Sequence, residues 1–266
     1  MNYSKIGFLG CGNMGGALAS ACAKQTDSIL LANRTPAKAE ALAALLGVKT
    51  ASNAEIAENC DLIFLGVKPQ MMRDLLEQIA PTLAARDDRF VLVTMAAGLN
   101  IASIRSMAAG DYPVIRIMPN TPASIGEGMI LFCADGVNEE EIAAFTDVMQ
   151  ASGSFDELPE WLIDAGSAVS GCGPAFVYPF IEALADGAVA CGLPRAKAQL
   201  YAAQTLVGAA KLVLESGDHP GTLKDAVCSP GGSTIQGVRV LENSGFRGAV
   251  MEAVIAAYEK TKALGK

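Results

Sequence analysis

Three short segments of this chain carry residue types whose spacing suits chemistry. The first is Lys5-Ile6-Gly7-Phe8-Leu9-Gly10-Cys11-Gly12-Asn13-Met14-Gly15, where G-x-G-x-x-G follows an apolar strand-like run and opens an apolar-periodic helix. Each glycine has a task in that context. Gly10 allows a tight turn, Gly12 lets the backbone approach a pyrophosphate, and Gly15 permits close packing of helix on strand. The backbone through Cys11, Asn13 and Met14 leads into a helix N-terminus, whose free N–H groups and positive dipole end suit phosphates.

The second segment is Asn33-Arg34-Thr35, at the end of the next strand-like run. An acidic side chain there would bond a ribose 2′-hydroxyl and repel a 2′-phosphate. A neutral amide, a guanidinium and a hydroxyl instead make a phosphate-binding set, so NADPH is the expected cofactor, with NADH as the weaker alternative. Two further strand ends fall on the same carboxyl edge, Gly66-Val67-Lys68-Pro69-Gln70 and Met95-Ala96-Ala97-Gly98. The small side chains of Ala96 and Ala97 let a flat ring lie close to the backbone. Val67 and Pro69 are read as cofactor contacts. Lys68 is open to acid–base work or to cofactor contact, and its extended turn before Pro69 favours contact.

The third group comprises two Gly/Ser/Pro segments in the second half, Ser170-Gly171-Cys172-Gly173-Pro174-Ala175 and Ser229-Pro230-Gly231-Gly232-Ser233-Thr234. Both are expected to be loops running into helices, with helix N–H groups as donors to a carboxylate. Other chemistries lack their parts. The single histidine, His219, sits in the turn-like Asp218-His219-Pro220-Gly221, away from any nucleophile motif. The seven cysteines are odd in number and contain no C-x-x-C pair, which argues against a disulfide framework and a zinc site, and no metal is expected. A reductase without an obvious general acid suits a C=N bond that arrives already protonated, because an iminium carbon accepts hydride without further activation.

The surrounding sequence must position these residues. Apolar runs at Ile6 to Leu9, Ser28 to Ala32, Leu62 to Gly66, Phe90 to Met95, Val114 to Met118 and Met129 to Cys133 alternate with helical patterns, the signature of a parallel sheet. After Trp161 long Ala-rich stretches replace the strands, interrupted by Gly192-Leu193-Pro194, read as a helix stop followed by a proline in the next first turn. The fold class is therefore an α/β Rossmann domain over residues 1–158 followed by an all-α domain over 159–266, which needs a second copy to bury its apolar stripes.

Half the residues are apolar and the net charge is −8, which disfavours nucleic acid. The longest apolar stretch, Ala175 to Leu193, contains Pro179, Glu182 and Asp186, so no membrane span is expected. The N-terminal residues lack the pattern of a secretory signal, giving a cytoplasmic expectation.

Taken together, the glycine fingerprint, Val67-Lys68-Pro69-Gln70, Arg116-Ile117-Met118-Pro119-Asn120-Thr121-Pro122, Ser170 to Phe176, Gly192-Leu193-Pro194-Arg195 and Ser229 to Ile235 followed by Leu241-Glu242 resemble the pyrroline-5-carboxylate reductase family over essentially the whole chain. The resemblance implies an interlocked homodimer, often within a ring of dimers, and a small cyclic imino acid as substrate. It implies that Ser229, Gly231, Gly232 and Ser233 enclose the substrate carboxylate, with backbone N–H groups of Gly232 and Ser233 as donors. It places the Thr234 hydroxyl on the ring nitrogen as the catalytic group, and Asn53 and Asn33 against the cofactor ribose and its phosphate side. The implied reaction moves hydride from C4 of NADPH to C5 of 1-pyrroline-5-carboxylate. Three alternatives stand beside it. A β-hydroxyacid dehydrogenase would use a lysine of the second half, where Lys197, Lys211 and Lys224 lie, a reductase of the same kind would take a ring-expanded imine acid, and a nucleotide-binding sensor would bind without turnover.

Overall fold

A computed structural model describes residues 3–264. Its first half is one eight-stranded sheet: β1 (Ile6–Leu9), β2 (Ile29–Ala32), β3 (Lys49–Thr50), β4 (Leu62–Leu65), β5 (Val91–Thr94), β6 (Val114–Met118), β7 (Gly128–Asp135) and β8 (Gly153–Glu157). The strand order is β3-β2-β1-β4-β5-β6-β7-β8, and every neighbouring pair is parallel except β6 with β7. The first six strands thus follow the doubly wound dinucleotide-binding order, whose switch point lies between β1 and β4. The strands read from the sequence are present. β3 and β8 were not expected: β3 is two exposed residues, and β8 is Gly-Ser-Phe-Asp-Glu, with no apolar alternation.

The central strands are apolar on both faces because helices cover both. Six helices alternate with the strands: α1 (Asn13–Cys22), α2 (Pro36–Leu46), α3 (Asn53–Asn59), α4 (Met72–Ala84), α5 (Ile101–Ala108) and α6 (Glu139–Met149). One core layer gathers Leu9, Ile63, Leu65 and Leu92 with α3, α4 and α5; the other gathers Phe8, Phe64, Val91 and Val93 with α1, α2 and α6. Phe8 and Phe64 stack at 4.3 Å between ring centroids, tying β1 to β4 beneath the switch point. Helix α6 starts with a capping box between Asn138 and Glu141, and the Glu141 carboxylate also receives two bonds from Arg89, at 2.7 and 2.8 Å.

β6 interrupts its apolar run with Arg116, 3% exposed. Its charge is met from α7 (Glu160–Ser170) by Asp164 at 2.6 Å and Glu160 at 3.5 Å. Gly166 on the same helix packs closely against Leu131 of β7. These bonds attach α7 to the sheet. The sequence put a boundary between residues 158 and 159, whereas by contacts the first compact unit runs to Cys172 and includes residues from Ala257 onward.

The second unit, Gly173–Ala256, is helical. It contains α8 (Gly173–Ala190), α9 (Arg195–Ser216), α10 (Pro220–Ala226), α11 (Ser233–Asn243) and most of α12 (Phe246–Leu264). Gly192, at φ +96°, turns the chain between α8 and α9, and Pro194 is the N-cap residue of α9, one position before the first turn where it was expected. The buried core of this unit is only Ala185, Ala198 and Ala202, while Tyr178, Leu184, Leu200, Tyr201, Leu212 and Met251 are exposed.

Contrary to the expectation from Ala175 to Leu193, the run Glu160–Ala190 is long and apolar enough, by length and composition, to cross a bilayer. Protein surfaces meet both of its helices, since α7 packs on β7 and α8 on α9.

The capping of α6 makes stability depend on pH. Arg89, then the Asn138 amide, hold the Glu141 carboxyl below the ordinary carboxylate range against the opposing effect of burial. A depressed folded pKa gives stability that is complete above the unfolded value and is lost as pH falls through the folded one. The stability gap between wild type and Glu141→Gln, measured by urea unfolding, is expected to be full at neutral pH and to shrink below roughly pH 4.

Candidate functional site

The glycine loop is held by backbone touching backbone. Gly10 has φ +112°, and a Cβ added there would lie 2.6 Å from the carbonyl oxygen of Gly66. A Cβ on Gly15 would lie 2.2 Å, and one on Gly66 2.4 Å, from the carbonyl oxygen of Gly10. Loop, α1 and the end of β4 therefore meet where no side chain fits. Gly12 differs, because a Cβ there would meet nothing within 4 Å. Its surroundings are open space, which a bound pyrophosphate would need. Gly12 caps α1 without a side-chain bond, and the first intrahelical bond runs from the Gly16 N–H to the Gly12 carbonyl. The N–H groups of Asn13, Met14 and Gly15 consequently have no helical acceptor.

Asn33 stands beside this loop with both ends of its amide on backbone groups. Its Oδ1 accepts from the Cys11 N–H at 3.1 Å and its Nδ2 donates to the Thr35 carbonyl at 3.0 Å. Both ends of the amide are engaged with backbone, so Asn33 braces the glycine loop against the β2 end. Cys11 is buried under it, and desolvation pushes its thiol up to about 11, so it is a packing residue and not a nucleophile. Arg34 is exposed and, among the described residues, has no hydrogen-bond or ion-pair partner. Thr35 precedes α2 without capping it through its side chain, leaving a hydroxyl and the α2 N-terminus beside the guanidinium.

A cavity of about 320 Å³ opens at the ends of β2 and β3, lined by Asn33, Pro36, Glu40, Ser52 and Asn53 among others. It joins the two asparagines named from the sequence in one place. Farther along the same edge, Val67 is half-buried with a methyl near Gly10, Lys68 is exposed before a 3-10 turn at Pro69–Met71, Ala96 is 2% exposed and Ala97 is half-buried. The first-unit residues named from the sequence thus share the carboxyl edge of one sheet. Gly66 is the contributor that sequence reasoning left as a mere strand end; the signal was a glycine directly after an apolar run.

In the second unit, Ser229 to Gly232 form a turn closed by the Gly232 N–H donating to the Ser229 carbonyl at 3.0 Å. Gly231 has φ +68°, a left-handed conformation that favours glycine, and a Cβ on Gly232 would press on the exposed Ser229 hydroxyl and lie 3.1 Å from the Ser229 carbonyl oxygen. Gly232 caps α11 with no side-chain bond, and Ser229, Ser233 and Thr234 are exposed. The first-turn N–H groups of an eleven-residue helix and three hydroxyls remain on one open turn.

The companion segment does not behave this way. Ser170 is the last residue of α7, with its hydroxyl donating to the Gly166 carbonyl and its own carbonyl accepting from Asn120 Nδ2 at 2.9 Å. Gly171 is right-handed, and its N–H bonds the Ser167 carbonyl. Only Gly171 and Cys172 separate α7 from α8, so no open loop exists there, and the Gly171 and Cys172 N–H groups bond the Ser167 carbonyl. Asn120, whose Oδ1 also accepts from the Met129 N–H, stitches β6, β7 and the α7 end together. His219 caps α10, its Nδ1 accepting from the Gly221 N–H at 3.0 Å. Lys224 is paired with Asp225, which holds its ammonium charged, the opposite of a catalytic base. Among the described residues no cluster suits a metal ion.

A doubly wound sheet with this fingerprint at its switch point defines a dinucleotide-binding protein. Comparison with known proteins narrows the class. Residues 5–98 match the family model described as NADP oxidoreductase coenzyme F420-dependent, and residues 160–264 match that for pyrroline-5-carboxylate reductase dimerisation. The pyrroline-5-carboxylate reductase of Escherichia coli (strain K12) is 42% identical over 268 residues, covering 98% of each chain. Among solved structures, a pyrroline-5-carboxylate reductase from Coxiella burnetii superposes with TM-score 0.91 at 30% identity. That of Plasmodium falciparum with NADP bound superposes with TM-score 0.86 at 34% identity, and both alignments cover 100% of each chain. The chain belongs to the pyrroline-5-carboxylate reductase family.

The two kinds of glycine separate experimentally. Gly12→Ala is expected to leave unfolding free energy within about 1 kcal/mol of wild type while weakening NADPH binding. Gly66→Ala, forced against the Gly10 carbonyl, is expected to lower both; fluorescence titration and urea unfolding of the two variants check this.

Proposed function

We infer that the chain reduces 1-pyrroline-5-carboxylate to L-proline with NADPH, and that the uncapped turn at Ser229 to Thr234 holds the substrate. That turn carries the reading, because it gathers the free first-turn N–H groups of α11 and three exposed hydroxyls on one glycine turn. The Ser233 amide and its first-turn neighbours, with the Ser229 hydroxyl, grip the carboxylate, whereas the Gly232 amide expected as a donor already closes the turn on the Ser229 carbonyl, and Gly231 supplies the left-handed conformation. The Thr234 hydroxyl orients the ring nitrogen. NADPH, when bound, supplies the hydride that reaches C5 of the ring. The protein provides no strong acid because the imine nitrogen enters protonated; holding and water exclusion do the work.

The amides of Asn13, Met14 and Gly15 receive the pyrophosphate, with Gly10, Cys11 and Gly12 shaping the path. Arg34 and Thr35 take the 2′-phosphate, which makes NADPH the preferred form and NADH the weaker one. The cavity at Asn33 and Asn53 takes the adenosine side, Val67, Lys68 and Pro69 border the cofactor, and Ala96 and Ala97 admit the nicotinamide. The exposed apolar helices of the second unit form a homodimer rather than a membrane contact, and a ring of dimers is the larger assembly the family resemblance implies. Seven free thiols fit a reducing compartment such as the cytoplasm.

The decisive assay follows NADPH absorbance with 1-pyrroline-5-carboxylate; nucleotide binding without turnover would instead identify a sensor. In the same assay Thr234→Ala is expected to lose about 10- to 100-fold in kcat/KM, the effect of one orienting hydrogen bond. Unaltered turnover removes Thr234 from the mechanism. Arg34→Ala is expected to cut the NADPH:NADH efficiency ratio by about tenfold or more, the value of a charge-assisted phosphate contact, and an unchanged ratio removes Arg34 from specificity.

A further inference from the structure

Helix α4 packs through a stripe of Met72, Leu75, Leu76, Ile79 and Leu83, all buried. Gln78 lies off that stripe and is exposed. Its Oε1 accepts from Nδ2 of Asn53, the first residue of α3, at 2.9 Å across 25 positions of sequence. The neighbouring polar groups are already engaged: the Ser52 N–H and hydroxyl form a closed capping box with Glu55. Asn53 lines the cavity at the β2 and β3 ends, and its Oδ1 has no hydrogen-bond partner among the described residues.

We propose that Gln78 is a positioning residue for the nucleotide, fixing the Asn53 amide so that its oxygen is the atom left for the cavity. A free asparagine amide turns over and presents oxygen or nitrogen with similar ease. With Nδ2 committed to Gln78, the remaining group accepts only, and the partner it selects is a hydroxyl donor such as those of a ribose. A second consequence is reach: the bond holds a side chain that is only half-buried in one rotamer, so less is lost in ordering it when the nucleotide binds. The proposal rests on the reading that this cavity receives the adenosine side of NADPH.

The test uses the full-length enzyme and steady-state kinetics with NADPH varied. Gln78→Ala is expected to raise the KM for NADPH roughly three- to tenfold, the effect of releasing one oriented hydrogen bond, with kcat and the KM for 1-pyrroline-5-carboxylate unchanged. Gln78→Glu, which keeps an acceptor at similar reach and cannot donate, restores the KM to near wild type. In an Asn53→Ala background, Gln78→Ala adds nothing further. An equal rise in that background, or a Gln78→Glu variant as impaired as Gln78→Ala, overturns the proposal. A raised KM for Asn53→Ala with an unchanged one for Gln78→Ala sinks the Gln78 role alone, whereas an unchanged KM for Asn53→Ala sinks the adenosine-side reading itself.

Discussion

The carbonyl oxygen of Gly10 sits where a Cβ on either Gly15 or Gly66 would be, and Gly10 itself lies where a Cβ would strike Gly66. That mutual approach of three bare backbones sets how near α1 comes to the end of β4, and thus where the free amides of the helix point. Everything on the nucleotide edge is built outward from it. Asn33 braces the loop from the β2 side, Phe8 stacked on Phe64 fixes the strands below, and Gly12 leaves open the volume that the other glycines close.

The anion sites raise an electrostatic question, because a chain of net charge −8 is read as binding a phosphorylated dinucleotide and a carboxylate. At physiological salt the field of scattered surface charge fades over about 8 Å. Oriented N–H groups act within hydrogen-bond distance, where screening is weakest. Gly12 and Gly232 each begin a helix without a side-chain cap, and the absent cap is what frees the donors. At Asn138 and Ser52 the caps are complete, and those helix starts are structural.

The second unit reverses the energetics of the first. The sheet unit buries large aromatic and aliphatic side chains in two layers, while the helical unit buries three alanines and exposes Tyr178, Leu184 and Leu200. An unaccompanied unit of that kind lacks apolar burial to offset its chain entropy. The exposed faces fall within residues 160–264, the stretch that matches the pyrroline-5-carboxylate reductase dimerisation family.

Much of the molecule was legible in the residues themselves. The central strands announce themselves because apolar runs buried on both faces leave a continuous signal, and the fingerprint glycines do so because no other residue tolerates their spacing. β8 was not legible: Asp156 and Glu157 lie on an edge strand whose pairing comes from backbone groups on β7. The boundary near residue 158 moved to Cys172 because α7 is tied to the sheet by Arg116, an ion pair across 48 positions that local composition does not reveal. Ser170 to Ala175 and Ser229 to Thr234 look alike as strings, and only the fold separates them. Asn120 and the Ser167 carbonyl occupy the groups of the first, while in the second only the Gly232 N–H is engaged, on the Ser229 carbonyl, and the Ser229, Ser233 and Thr234 hydroxyls stay exposed. Sequence by itself determined the layered class and the kind of cofactor, because these follow from residue type and short-range spacing. Tertiary structure decided which amides are free, that Asn33 braces while Asn53 faces the cavity, and where one unit ends, because a hydrogen bond's partner is settled by distant segments that only folding brings within reach.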